Sequence, residues 1–76
     1  MIPLHPVSEH TAYNTRERDL IRSHNATLAR VIARTGLTPA WQPLCKGPLY
    51  GALVIGGREV AYGGSATEAM ERFLAA

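Results

Sequence analysis

From Leu49 onward the chain is punctuated by two glycine pairs, and these leave little freedom in how its last part folds. Leu49-Tyr50-Gly51-Ala52-Leu53-Val54-Ile55 is apolar and β-branched enough for a strand. Gly56-Gly57 then signals a two-residue hairpin, since both glycines accept positive φ without steric cost. Arg58 to Tyr62 reads as the returning strand, which Gly63-Gly64 ends. Ser65-Ala66-Thr67-Glu68 is a capping box: the serine oxygen takes a free helix N–H and Glu68 reaches back to the cap. In the helix that follows, Ala66, Ala69, Met70, Phe73 and Leu74 form one apolar stripe, and Glu68 and Arg72 make a favourable i,i+4 pair.

A long helix precedes this unit. Asn14, with Glu17 three residues on, is its start signal, and Leu20, Ile21, His24, Leu28, Val31, Ile32 and Thr35 recur on one face. Gly36 is placed to end it in the left-handed region, with Leu37 folding back on Ile32, and Pro39 blocks continuation. Trp41 to Lys46 reads as a strand that Pro43 confines to an edge or a bulge, and Gly47-Pro48 as the turn after it. Residues 1–14, with Pro3 and Pro6, read as an extended N-terminal arm, pinned by Ile2, Leu4 and Val7 or loose. The expectation is an arm followed by a single α+β domain over 15–76. Its order is α-β-β-β-α: a long N-terminal helix, an antiparallel two- or three-stranded meander, and a C-terminal helix, with both helices on one sheet face.

A two-residue turn also sets a register. Ile55 then pairs with Arg58, Leu53 with Val60 and Gly51 with Tyr62 on the core face. Val54 pairs with Glu59 and Ala52 with Ala61 on the other. That second face, with Tyr50, Ala52, Val54 and Ala61, is apolar and has no helix left to cover it, so it is a candidate contact surface for a partner or a second copy.

At 76 residues the chain buries only about 60% of its unfolded surface, so its core is small. A hydrophobic content of 46% excludes disorder as a whole-chain reading. Cys45 is the single cysteine, which points to a reducing compartment, the cytoplasm. No apolar run approaches the roughly 18 residues of a membrane span, so no membrane partner is expected. The net charge is only +2, yet five of the eight basic residues, Arg16, Arg18, Arg22, Arg30 and Arg34, fall on the long helix. They suit phosphates, an acidic protein surface, or plain solvation.

Leu28 to Thr38 resembles the first helix and turn of bacterial helix-turn-helix DNA-binding domains. Pro43 departs from that pattern, because an interior proline costs about 3 kcal/mol and leaves too little helix to read a groove. The element order resembles the double-stranded RNA-binding domain, whose last helix begins with lysines; Ser65-Ala66-Thr67-Glu68 has none. His24 falls on the apolar face as a hydrogen-bonded core histidine. The histidines and Cys45 have no metal-ligand spacing, and nothing places a base beside Cys45. Ser65 is used as a cap. No catalytic residue, metal site or cofactor is therefore expected.

The function expected is that of a small non-enzymatic protein occupying a surface on a protein or ribonucleoprotein partner. Its contact candidates are the five helix arginines with Tyr50 and Val54. Size and lack of motifs are typical of phage and mobile-element accessory inhibitors of host defence, such as anti-CRISPR proteins. The alternatives are nucleic-acid binding or transcription regulation through the arginine helix, and a homodimeric structural subunit.

Overall fold

A computed structural model describes residues 1–46 and 49–76; the side chains described are those of 1–44 and 50–76. The Gly47-Pro48 turn and the side chains of Cys45, Lys46 and Leu49 lie outside the described residues. The elements are β1 (Ile2–Pro3), a 3-10 turn (Glu9–Thr11), α1 (Thr15–Thr35), β2 (Ala40–Lys46), β3 (Leu49–Ile55), β4 (Arg58–Gly63) and α2 (Ala66–Ala75). The four strands form one antiparallel sheet in the order β1-β2-β3-β4. This is the expected α+β order, with one addition. The arm supplies a two-residue fourth strand, Ile2 opposite Trp41 and Pro3 opposite Ala40. That pairing stops short of Gln42, so Pro43, which has no N–H to donate, sits where the outer edge of β2 is open.

Local chemistry sets the boundaries. Asn14 Oδ1 accepts from the Glu17 N–H at 2.9 Å, and Glu17 Oε2 accepts from the Tyr13 N–H. Gly36 ends α1 at φ 71°, its N–H donating to the Ile32 carbonyl at 2.7 Å. Leu37 is not hydrogen-bonded as a Schellman cap would have it. Its N–H goes to Thr35 Oγ1, and its side chain lies beside the hairpin turn at Gly56. Gly56 and Gly57 have φ of 61° and 78°, as the tight hairpin requires. Ser65 Oγ accepts from the Glu68 N–H, but Glu68 completes only half of the box: its Oε1 turns to Arg72 Nη2 at 2.8 Å.

The core lies between the sheet and both helices. Leu28 and Val31 of α1, Leu53, Ile55 and Ala61 of the sheet, and Ala69 and Met70 of α2 are buried together, with Leu4, Trp41, Phe73 and Leu74 at the margin. Complete burial of side chains such as Leu28, Leu53 and Met70 stabilises by about 1.5–3 kcal/mol each. The apolar stripe of α1 is only partly used. Its 21 residues span about 31 Å, whereas strands of six or seven residues span about 20 Å. The N-terminal end therefore overhangs the sheet, and Leu20 remains 64% exposed.

The hairpin register departs from expectation after two pairs. Ile55 faces Arg58 and Val54 faces Glu59, but a β-bulge then leaves Val60 unpaired. Leu53 faces Ala61, Ala52 faces Tyr62, and Gly51 faces Gly63. Val60 and Tyr62 are thus not core residues, and Ala61 is not on the outer face. The cause is the closeness of α2. A Cβ on Gly63 would stand 3.0 Å from the Ala69 backbone nitrogen, so the helix packs on Ala61 and Gly63 where Val60 and Tyr62 would hold it off.

Candidate functional site

Both helices pack on the face of Leu53 and Ile55, and among the described residues no element packs on the opposite face. Register places Ala40 and Gln42 of β2, Ala52 and Val54 of β3, and Glu59 and Tyr62 of β4 there; Tyr50, two residues before Ala52, joins them. Ala52 and Val54 are nevertheless buried, Val54 at 7%. They form a floor. Tyr50, 65% exposed, and Tyr62, 40% exposed, rise from it as diagonal neighbours.

Each tyrosine has a carboxylate nearby. The Tyr62 hydroxyl donates to Glu59 Oε1 at 3.0 Å. Residues three apart share this face because Val60 is the extra residue between them; in an unbulged strand they would lie on opposite faces. The hydrogen bond, and then the charge, of Glu59 hold the Tyr62 phenol above its ordinary value of 10.0. Tyr50 and a second carboxylate, that of Glu68, flank Gly64: a Cβ there would lie 3.6 Å from Tyr50 Cδ2 and 3.5 Å from Glu68 Oε2. The outer edge of β4 is blunted by the bulge and by Arg72, whose Nη1 donates to the Tyr62 carbonyl at 3.4 Å.

The helix arginines are all exposed but do not converge. Arg22 Nε donates to Glu9 Oε1 in the arm, and Arg34 Nη1 donates to the Leu74 carbonyl at 3.1 Å, capping the last turn of α2. The flank of Arg16, Arg30 and Arg34 also carries Thr27, which is buried, so this side turns toward α2. The flank of Arg18 and Arg22 turns toward the arm. Arg16, Arg18 and Arg30 have no salt bridge or side-chain hydrogen bond to a described residue. Val54 is buried in this face, at 7% exposure.

His24 is half-buried and hydrogen-bonded. Its Nε2 must donate to the His5 carbonyl at 3.3 Å, which in the neutral ring leaves Nδ1 to accept from the Thr67 hydroxyl at 3.2 Å. One ring thereby joins arm, α1 and α2. Asn25 holds the arm through both amide atoms, Oδ1 accepting from the Val7 N–H and Nδ2 donating to its carbonyl, each at 2.8 Å. A shallow cleft of about 440 Å3 opens between the overhang of α1 and the start of α2, lined by Leu20, Ser23, Ser65, Thr67, Glu68 and Glu71. Among the described residues no His, Cys, Asp and Glu group is placed to hold a metal ion, and no helix is long and apolar enough to cross a membrane.

Tyr62 and Glu59 were not among the residues the sequence singled out. The available signal was the small pair Ala61 and Gly63, spaced to lie under a helix that begins with alanines. Comparison of the chain with protein-family models, with curated proteins and with solved structures finds no match.

Proposed function

We propose that this chain is a small non-enzymatic binding protein that acts in the cytoplasm by occupying a surface of a protein or ribonucleoprotein partner. The observation that carries this reading is the open sheet face, on which two exposed tyrosines stand over an apolar, already packed floor. Tyrosine gives large, stiff contact area and is enriched at the centres of interfaces. The floor is held by the fold, so little order has to be gained on binding. An inhibitor of host defence of the anti-CRISPR kind is one such binder.

The arginine helix carries the second reading, nucleic-acid binding. In its favour, Arg16, Arg18 and Arg30 are exposed on an outer surface. Against it, Arg22 and Arg34 are already engaged within the molecule. The test is complex formation with the partner, identified by capture and repurified. Tyr50→Ala and Tyr62→Ala should each weaken the complex by about 2 kcal/mol or more, while alanine at Arg16, Arg18 or Arg30 changes little. Affinity for random nucleic acid at about 0.15 M salt, lost evenly across those three arginines with the salt slope falling by about one unit each, would replace this reading with the second.

A further inference from the structure

We infer that the tyrosine face receives an arginine side chain of the partner protein, its guanidinium lying against the Tyr62 ring and pairing with the Glu59 carboxylate. This rests on the surface-occupying function proposed above and names the chemistry of what that surface meets.

Charge decides the occupant. Of the positions that register assigns to this face, Glu59 is the one charged residue among those described. Its Oε1 accepts from Tyr62, and Oε2 has no partner among the described residues. The second tyrosine is also bordered by an acid, since Glu68 Oε2 and the Tyr50 ring both flank Gly64. Glu68 is partly neutralised by Arg72 at Oε1, so Glu59 is the stronger of the two attractors. Phosphates approaching the tyrosines would meet these carboxylates, while the described cation beside them, Arg72, is already engaged by Glu68 and the Tyr62 carbonyl. A base stacking on the rings would bring its phosphate into repulsion.

Geometry selects arginine over lysine. A phenol that donates to a carboxylate gains electron density in its ring, which strengthens attraction for a cation over the ring face. Ring and carboxylate lie side by side, joined at 3.0 Å, and a planar guanidinium stacks on one while donating to the other. A compact ammonium satisfies either partner but does not stack. The bulge at Val60 is what puts the two groups together, so the feature that lets α2 pack closely also builds the receptor.

The experiment follows backbone amide shifts of the full chain while it is titrated with a short peptide of alternating arginine and valine. Matched peptides carrying lysine or glutamate, and oligouridylate, are run beside it. The expected result is saturable shifts at Glu59, Tyr62, Ala52 and Tyr50, with arginine tighter than lysine and no response to glutamate. Glu59→Gln and Tyr62→Ala should each weaken the arginine peptide about threefold or more, and Tyr62→Phe by less, because the ring remains. Glu59→Lys, at an exposed position, should abolish the response while the chain stays folded, the melting temperature falling by no more than the loss of one exposed hydrogen bond. Shifts confined to the cleft at Glu71, indifference to Glu59→Gln, or preference for oligouridylate on the tyrosines would overturn the inference. A partner complex that is lost with Tyr50→Ala and Tyr62→Ala but unchanged in Glu59→Gln would overturn it too, leaving the surface-occupying reading intact. Losses spread over Arg16, Arg18 and Arg30 would instead overturn that reading.

Discussion

Trp41 is on the core face of β2, and its indole lies over Gly51 on the neighbouring strand, where any side chain would overlap the ring. Gly51 is thus held to glycine by an aromatic roof and not by its backbone angles. Gly51→Ala must displace Trp41 from the edge of the core, at an expected cost of about 1–3 kcal/mol by chemical denaturation. An unchanged midpoint would show that the indole lies elsewhere. Tyr62 offers a second test at this scale. Its neutral phenol donates to Glu59, so ionisation loses a hydrogen bond and sets two negative charges side by side. Tyr62 should ionise above 10.0 in an ultraviolet titration, and Glu59→Gln should bring it down. The folded form then holds this proton more tightly than the unfolded chain, so the stabilisation is fully present below pH 10 and lost as pH rises past the raised value.

Elements here are cut by caps and tied by a strap. At Val7 the arm is tied to α1 by the Asn25 amide, which imitates a strand neighbour, beside the ties that His24 makes to His5 and Arg22 to Glu9. Asn25→Ala should cost about 1–2 kcal/mol, and hydrogen exchange should show the Val7 amide losing protection while Leu53 keeps its own. Equal loss at both would mean that the arm and the core unfold as one unit. Ser65→Ala should cost about 1 kcal/mol by freeing the Glu68 N–H, whereas Glu68→Ala, which removes only an exposed pair with Arg72, should cost less. The contrast between these elements explains what was legible in the chain. Asn14, Gly36, Gly56-Gly57 and Ser65 act within a few residues of themselves, so strand, turn and helix were readable from local chemistry. The bulge at Val60 was not, because its cause is the approach of Ala69, a contact between elements that no local pattern encodes. The candidate face inherited that error: Tyr50 and the floor of Ala52 and Val54 were readable, while Ala61 stood in the place that belongs to Tyr62. The overhang of α1 is illegible in the sequence for a similar reason. A helical stripe says which side is apolar, not how far the sheet beneath it extends.

The whole molecule measures 33 × 30 × 22 Å, with a radius of gyration of 12.3 Å against about 11 Å expected for a chain of this length. The excess fits the 21-residue α1, whose length of about 31 Å matches the longest dimension. Size also bears on whether the tyrosine face serves a second copy of the chain. Three strands about 4.8 Å apart and about 20 Å long offer roughly 300 Å2, whereas a stable pair buries about 800 Å2 on each partner. Self-association through this face would also bring Glu59 of each copy toward the same acidic surface. A larger partner has neither restriction, since it can extend past the sheet onto α2 and supply the missing positive charge. Sedimentation equilibrium from about 1 to 100 µM should therefore give a monomer of 8.2 kDa throughout, at low and at moderate salt. A dimer that Tyr50→Ala dissolves would make the sheet face a homotypic interface and remove the case for a foreign partner. A dimer that survives Tyr50→Ala and Tyr62→Ala would place self-association elsewhere, contradict the monomer, and leave the tyrosines free for their proposed use.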